Sequence, residues 1–342
     1  MTKLIVKKKQ STIVDVAKKA GVSTKTVSRV INNEDGVRAQ TLKKVNSAIE
    51  QLNYRPNVFA QSLAGGRTRI IGLIYDNPNP VYISHIMDGV LGYCYQKEYA
   101  VIIHPCSLAD KDYLSVMQQL IKKTRLTGMI LTPPLSDSRE FLNMLQQNEI
   151  PSVLISPGGE KSRSDAVITN EYEATKEMIR YIISKNHQKI ALIKGHPEHV
   201  ALLKRTQGYM DAMSEAKLEI KSEYVIQGYN SYESGLECGT QLIKLKDKPT
   251  AIFAANDEMA SGVMKVILDS GYEVPKDFSI AGFDDTPVSQ MLNPPLSTIK
   301  QPLEAMGELA AKKLIAELEG LDFFENQKPK SSLIIRESIL ER

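Results

Sequence analysis

TIVDVAKKAGVSTKTVSRVIN, residues 12–32, divides into two short helices joined at a tight turn. Thr12 is placed to cap the first helix, with Asp15 three residues on to return the bond in a capping box. Ile13, Val16, Ala17 and Ala20 recur at i, i+3, i+4 and i+7, which makes one apolar stripe. Gly21 follows, the residue that tolerates the left-handed backbone at a helix end. Ser23 is placed to cap the second helix, whose apolar face is Val27, Val30 and Ile31. Thr24, Lys25, Thr26, Ser28 and Arg29 take the other side. All are hydrogen-bond donors or acceptors, two are cationic and none is acidic. Such a face suits the DNA major groove, where base edges present donors and acceptors. The stretch reads as a helix-turn-helix with the second helix as reader. A surface hairpin with a merely solvated polar face is the plainer alternative.

The surroundings favour the first reading. The chain of 342 residues has a net charge of +3, yet residues 1–69 hold 14 Lys and Arg against 4 Asp and Glu, so the head carries +10 and the rest −7. A basic head on an acidic body points to a polyanion as the partner of the head alone. Lys3, Lys7, Lys8 and Lys9 form an arm able to touch phosphates without reading sequence. Leu42, Val45, Ile49 and Leu52 recur at helical spacing and predict a third helix that closes a small core, ended by Tyr54 and Pro56. Asn57 to Leu63 spans about two helical turns, too short to be stable alone, and Gly65-Gly66 forms a flexible joint.

The length suggests two or three domains, and 42% hydrophobic with 24% charged residues is ordinary for a soluble protein. Cys94, Cys106 and Cys238 are scattered and odd in number, which argues against a disulfide frame or zinc site and for a reducing cytosol. MTKLIVKKKQ lacks a signal-peptide core and no run approaches a membrane span, so a cytoplasmic protein without membrane association is expected.

From Arg69 onward, short apolar runs alternate with amphipathic helices. Strands are predicted near 70–74, 100–103, 128–131 and 152–155, then near 189–193, 251–255 and 278–282. Helices are predicted near 84–97, 111–124, 138–148, 172–186, 202–215, 233–244, 258–269 and 302–317. Continuous apolar strands separated by helices mean parallel sheets covered on both faces. The two sets imply two similar α/β halves, whose ligands sit beyond the carboxyl ends of strands. No dinucleotide, phosphate-loop, zinc-protease or nucleophile-elbow motif accompanies those ends, so neither an enzyme nor a cofactor is expected. His196-Pro197-Glu198-His199 lacks the further ligands a metal needs. Polar groups do gather there: Asp76-Asn77, Ser156, Asn256-Asp257, Asp284-Asp285 and, opening a helix, Arg205. Each alone can be a turn or cap residue. Together, at the carboxyl edges of both halves, they point to a cleft in which Asp, Asn and Arg can grip vicinal hydroxyls and Tyr82 can stack on a sugar face.

DVAKKAGVSTKTVSRVIN, with Leu52-Asn53-Tyr54-Arg55-Pro56-Asn57 and Ala60-Gln61-Ser62-Leu63, resembles the opening of the lactose-repressor (LacI/GalR) family of bacterial transcription regulators. Ala255-Asn256-Asp257-Glu258-Met259-Ala260, Ile280-Ala281-Gly282-Phe283-Asp284-Asp285 and Arg205 with Gly208 extend the resemblance through the body. It implies a type I periplasmic-binding-protein-like body of two doubly wound parallel-sheet subdomains behind an all-α head. The implied layout is a head over 1–56, a hinge over 57–68, a first subdomain over 69–168 and 300–330, and a second over 169–299 and 331–342. It also implies a hinge helix that folds on operator DNA and wedges Leu63 into the minor groove. The expected DNA contacts are Thr12, Ser23, Thr24, Lys25, Thr26, Ser28, Arg29, Asn32, Tyr54, Asn57, Ala60 and Leu63. Effector contacts carry over to Asp76, Tyr82, Ile83, Arg205, Asn256 and Asp284, and by position alone to Ser156, His199 and Asn230.

Two departures bear on the effector. Asn230 stands where many members have an aromatic residue, a wall that Tyr229 or Tyr232 would have to supply. An Asp-Asn pair common in the family reads Thr169-Asn170, which changes the charge at the cleft floor. No heptad tail follows Leu333 to Ser338, so tetramers built through one are not expected. The expectation is a homodimeric repressor of sugar-utilisation genes on a palindromic operator, switched by a sugar. The alternatives are a corepressed regulator answering to a nucleoside or purine, a small-molecule receptor that does not bind DNA, and a doubly wound enzyme. Arg205→Ala and Asp284→Ala are expected to keep operator binding and lose the response to effector.

Overall fold

The computed structural model describes residues 11–31, 36–54, 68–76, 79–158, 165–324 and 328–342. Two compact units divide after Thr68. In the first, α1 (Ile13–Ala20), α2 (Thr24–Ile31) and α3 (Ala39–Gln51) enclose Val16, Ala17, Val27, Val30, Val45 and Ala48. Leu42 stays 39% exposed on the rim of α3, so the stripe that closes this core is Val45, Ala48, Ile49 and Leu52. The capping box forms as read: Thr12 Oγ1 accepts from the Asp15 amide at 3.3 Å, and Asp15 Oδ2 accepts from the Thr12 amide at 2.8 Å. Gly21 takes φ +68°, which turns the chain toward α2. Ser23 Oγ caps α2 by accepting from the Thr26 amide at 3.1 Å. Because α1 is only eight residues long, its cap carries weight. Thr12→Ala is expected to cost the head about 1 kcal/mol, which thermal melting of the full chain followed by head-specific hydrogen exchange would show.

The second unit holds two parallel sheets. The first, in the order β2-β1-β3-β4-β5, comprises β1 (Ile70–Tyr75), β2 (Ala100–Pro105), β3 (Gly128–Leu131), β4 (Ser152–Ile155) and β5 (Ala166–Val167). The second, in the order β7-β6-β8-β9, comprises β6 (Ile190–Lys194), β7 (Val225–Gln227), β8 (Ala251–Ala254) and β9 (Ser279–Ala281). Helices α4 (Pro80–Gln96) and α12 (Leu303–Glu319) cover one face of the first sheet, and α5 (Tyr113–Thr124) and α6 (Arg139–Gln147) the other. The second sheet lies between α7 (Glu171–Ser184) with α8 (Leu202–Glu215) and α9 (Tyr232–Lys244) with α10 (Asp257–Asp269). The short helix α11 (Pro287–Met291) follows β9. Strands β10 (Thr298–Lys300) and β11 (Ser332–Ile334) pair antiparallel and pack through Ile299 and Leu333 onto the second half. Strands β1, β3, β6 and β8 are buried on both faces, the reason their sequence runs are continuously apolar, whereas the edge strand β2 is only partly covered.

Helix α4 begins at Pro80, earlier than the sequence reading placed it. Asn79 Oδ1 accepts from the Val81 and Tyr82 amides at 3.0 and 3.3 Å, and proline suits the first helical position. The chain crosses between the halves three times: after β5, after β10 and after α12. The first and third passages are clasped by one side chain, for Asn170 Oδ1 accepts from the Ser331 amide at 2.6 Å and its Nδ2 donates to the Ser331 carbonyl at 3.3 Å. On the second passage, α12 returns to pack along α4 so closely that a Cβ on Gly89 would sit 1.9 Å from the Glu304 carbonyl oxygen. One on Gly307 would sit 2.1 Å from that of Ile86.

Candidate functional sites: a DNA-reading helix and a cleft between two sheets

On α2, Thr24 and Lys25 are exposed and Ser28 and Arg29 half-buried. Ser23 and Thr26 spend their hydroxyls on each other at 2.9 Å, and the Thr12 hydroxyl donates to Asp15 Oδ2 at 2.8 Å. Thr24, Lys25, Ser28 and Arg29 are the other polar side chains of this helix. Tyr54 closes the core, its amide donating to the Ile49 carbonyl at 3.0 Å. Asn32, Asn57, Ala60 and Leu63 lie outside the described residues.

In the body, a pocket between the carboxyl ends of the two sheets is lined by Asn79, Tyr82, Pro133, Ser156, Glu171, His199, Ala201, Leu202, Arg205, Asn230, Asn256 and Asp284. Seven of these belong to the nine effector residues expected from sequence. The other two lie elsewhere. Asp76 turns its carboxylate to the neighbouring loop, where Oδ2 accepts from the Leu108 amide at 2.9 Å. Ile83 enters the hydrophobic core under α4, because Tyr82 and Ile83 are adjacent on one helical turn and only one can face the cleft. Neither Tyr229 nor Tyr232 joins the lining; Tyr229 is 50% exposed and meets His196 edge-on at 5.6 Å.

Arg205, projecting from α8, organises the site. Its Nε donates to Glu171 Oε2 at 3.1 Å, its Nη1 donates to the Ala255 carbonyl and lies 3.5 Å from Asp284 Oδ1, and its guanidinium stacks 3.5 Å from the Phe283 ring centroid. Arg205, Glu171 and Asp284 are all buried. Asn79, Pro133, Ala201, Leu202 and Glu171 are lining residues the sequence reading missed, and Glu171 is the charged one among them. It stands one position past Asn170, at the first turn of α7, and supplies a carboxylate beside a cleft floor where Thr169 has none.

Asp284 sits at φ +114°, a conformation that costs a non-glycine residue about 1–3 kcal/mol and persists only where the surroundings enforce it. Its amide donates to the Ile299 carbonyl at 2.8 Å, and Gln301 Nε2, on the crossover, donates to Oδ1 at 2.6 Å. Nearby, buried Asp257 at the start of α10 accepts from the Thr286 amide at 2.8 Å and from the Thr298 hydroxyl. Its carboxyl is held well above the usual carboxylate range by burial and by Asp284. Asn256 caps α10, its Oδ1 accepting from the Met259 amide at 3.0 Å, while its Nδ2 donates to the Asn230 carbonyl at 3.0 Å. Asn230 in turn accepts from the His196 amide at 3.1 Å. Ser156, at φ +44°, has a buried hydroxyl with no protein partner among the described residues.

Burial, then His196 and Arg205, pushes His199 down to about 4, so its imidazole is neutral at physiological pH. Burial, then Glu171 and Asp284, raises the Tyr82 phenol, which therefore serves only as a neutral hydroxyl and ring. Burial pushes Asp284 up to about 6, with Arg205 and Gln301 drawing it back and Glu171 and Glu258 raising it. Between its ordinary value near ~3.9 and about 6, the folded protein keeps a proton that the unfolded chain has released. Native stability from this group is therefore complete below that window and is lost as pH rises through it. Melting temperatures of the parent and Asp284→Asn across this range should diverge in the variant's favour as pH rises. A pH-independent difference would contradict the assignment.

The cavity encloses about 40 Å³, room for a few waters and far below the ~300–1,000 Å³ of pockets that hold drug-sized ligands. A sugar or purine is admitted only if the halves part or lining side chains swing away. No group of His, Cys, Asp and Glu suited to a metal occurs among the described residues, nor does any helix there have the length and apolarity to cross a membrane.

Residues 12–57 match the lacI family of bacterial regulatory proteins, and residues 179–339 match the periplasmic binding protein-like domain. Along most of its length the chain is 34% identical to an HTH-type transcriptional repressor PurR of Vibrio atlanticus (strain LGP32), covering 91% of this chain and 93% of the relative. The chain belongs to the lacI family. It is a DNA-binding transcriptional repressor of that family and not an enzyme. Among solved structures, a lac repressor dimer bound to operator and the anti-inducer ONPF superposes with a TM-score of 0.84 at 29% identity, covering 97% of this chain and all of the other. A complex of the transcriptional regulator CelR with cellobiose superposes at 0.72 with 27% identity, covering 96% and 99%. This lacI-family chain thus has the expected α/β body of two parallel-sheet halves preceded by a helix-turn-helix.

Proposed function

We propose that the protein is a cytoplasmic homodimer that reads an imperfectly palindromic operator, one recognition helix per half-site, and answers to a small sugar bound between the two body halves. The constellation of Arg205, Asp284, Ser156 and Asn256 facing Tyr82 carries this reading. It presents donors and acceptors for several hydroxyls and one aromatic ring face. The operator-bound dimer seen for lac repressor and the cellobiose bound by CelR support it. The relatives named PurR favour the second reading, a nucleoside or purine effector. Against that stands Asn230, since among the described residues the lining holds no Phe, Tyr or Trp besides Tyr82 and offers only the neutral imidazole of His199. The effector alters the angle between the halves and thereby DNA affinity, a coupling of about 1–3 kcal/mol that acts in both directions.

Operator binding titrated against a panel of sugars and nucleosides tests the effector class, and a nucleoside switching DNA affinity where no sugar does would overturn the sugar assignment. Base readout is tested with Arg29→Ala and Lys25→Ala. Each is expected to cost about 1–3 kcal/mol on the cognate operator and less on random DNA. Equal losses on both DNAs would make the side chain a phosphate contact instead.

A further inference from the structure

The charge of the pocket separates sugars that the hydroxyl pattern alone does not. Three charged side chains line it: Arg205, Glu171 and Asp284. Arg205 is the only cation among them, and its Nε and Nη1 are already engaged, the first by Glu171 and the second by the Ala255 carbonyl with Asp284 alongside. His199 adds no positive charge near neutrality. Lys204 reaches from α8 toward the Pro157 carbonyl at 3.4 Å, and the charge of Glu258 also raises Asp284. A phosphate or carboxylate brought here would compete for one compensated guanidinium against two buried carboxylates. A neutral hydroxyl would meet acceptors in both carboxylates and donors on the unengaged side of Arg205.

We propose that Glu171 is a specificity-determining residue which neutralises Arg205 and makes the pocket reject anionic effectors, so that the effector is an uncharged polyhydroxyl compound rather than a sugar phosphate or sugar acid. Discrimination of this kind comes from a repulsive element built against the wrong ligand. The inference rests on the effector cleft of the proposed function, but the charge rule holds whichever uncharged ligand occupies it.

The experiment uses the full-length protein and matched pairs: galactose with galacturonate, glucose with glucose 6-phosphate, and inosine with inosine 5′-monophosphate. Operator affinity is titrated for the parent, Glu171→Gln and Glu171→Asp. Glutamine keeps the shape and an acceptor for Arg205 Nε while removing the charge, and aspartate keeps the charge. The parent should respond to the neutral member of the effective pair at lower concentration than to its anionic counterpart. Glu171→Gln should shift that ratio toward the anion by about tenfold, and Glu171→Asp should leave it near the parent's. Inorganic phosphate is a probe independent of any sugar: it should raise the melting temperature of Glu171→Gln more than that of the parent. An anion switching the parent ahead of its neutral partner, an unchanged ratio in Glu171→Gln, or equal stabilisation by phosphate would overturn the proposal. Inosine winning over every sugar, with the ratio still shifted in Glu171→Gln, would support it and overturn the sugar assignment instead.

Discussion

Arg205→Ala is expected to destabilise the body by about 3–5 kcal/mol, because it strands buried carboxylates without their cation. Glu171 and Asp284 flank the guanidinium from two sides, and the Ala255 carbonyl loses its donor as well. From sequence, Arg205 is a ligand contact whose loss leaves operator binding intact. The structure makes it also the tie between α8, α7 and the segment after β9. Adding Glu171→Gln to Arg205→Ala removes one of the stranded charges, so the double variant should be more stable than the single one. Chemical denaturation of the four proteins in that cycle gives the coupling directly. Strict additivity would show that Glu171 and Arg205 do not interact energetically.

The second large effect lies outside the cleft lining, where α4 meets α12. Gly307→Ala and Gly89→Ala each place a methyl group within about 2 Å of a backbone carbonyl on the facing helix, and backbone cannot swing aside as a side chain does. Helices α4 and α12 must separate, which opens the core formed by Ile86, Val90, Met306 and Ala310. A loss of about 1–3 kcal/mol or more is expected, as for other overpacked contacts. Gly92→Ala, on the same helix with no neighbour within 4 Å of the added carbon, is the control and should be neutral or mildly stabilising. Thermal melting of the three variants tests the difference; similar behaviour at Gly89 and Gly92 would refute the close approach.

What was legible in the chain follows from length and periodicity. Ile70 to Ile74, Gly128 to Leu131 and Ala251 to Ala254 announce themselves because both faces of each strand are buried. Strands β5 and β7, with two and three residues, fall below any periodic signal. The same limit hides β10 and β11. In the cleft, Arg205, Asn256 and Asp284 were visible as polar residues at strand and helix ends. Glu171 was not, since one more acidic residue at a helix start is what the helix dipole favours anyway. Asp76 misled for the converse reason: a carboxylate at a strand end serves a neighbouring loop amide as readily as a ligand.

The return of α12 to the first sheet also bears on how this protein is made. Its partner α4 emerges from the ribosome some two hundred residues earlier. During synthesis the apolar side of α4, from Ile83 through Cys94, waits for α12 while residues 97–302, which hold most of the second half, are translated. Domains complete early in translation when their contacts are local, and late when they are not. Here the half that is begun first waits for a helix made after most of the second half, which residues 331–342 complete in turn. The nascent chain therefore carries a sticky, half-built sheet through most of its elongation, a state in which chaperone capture and aggregation compete with the arrival of residues 303–319.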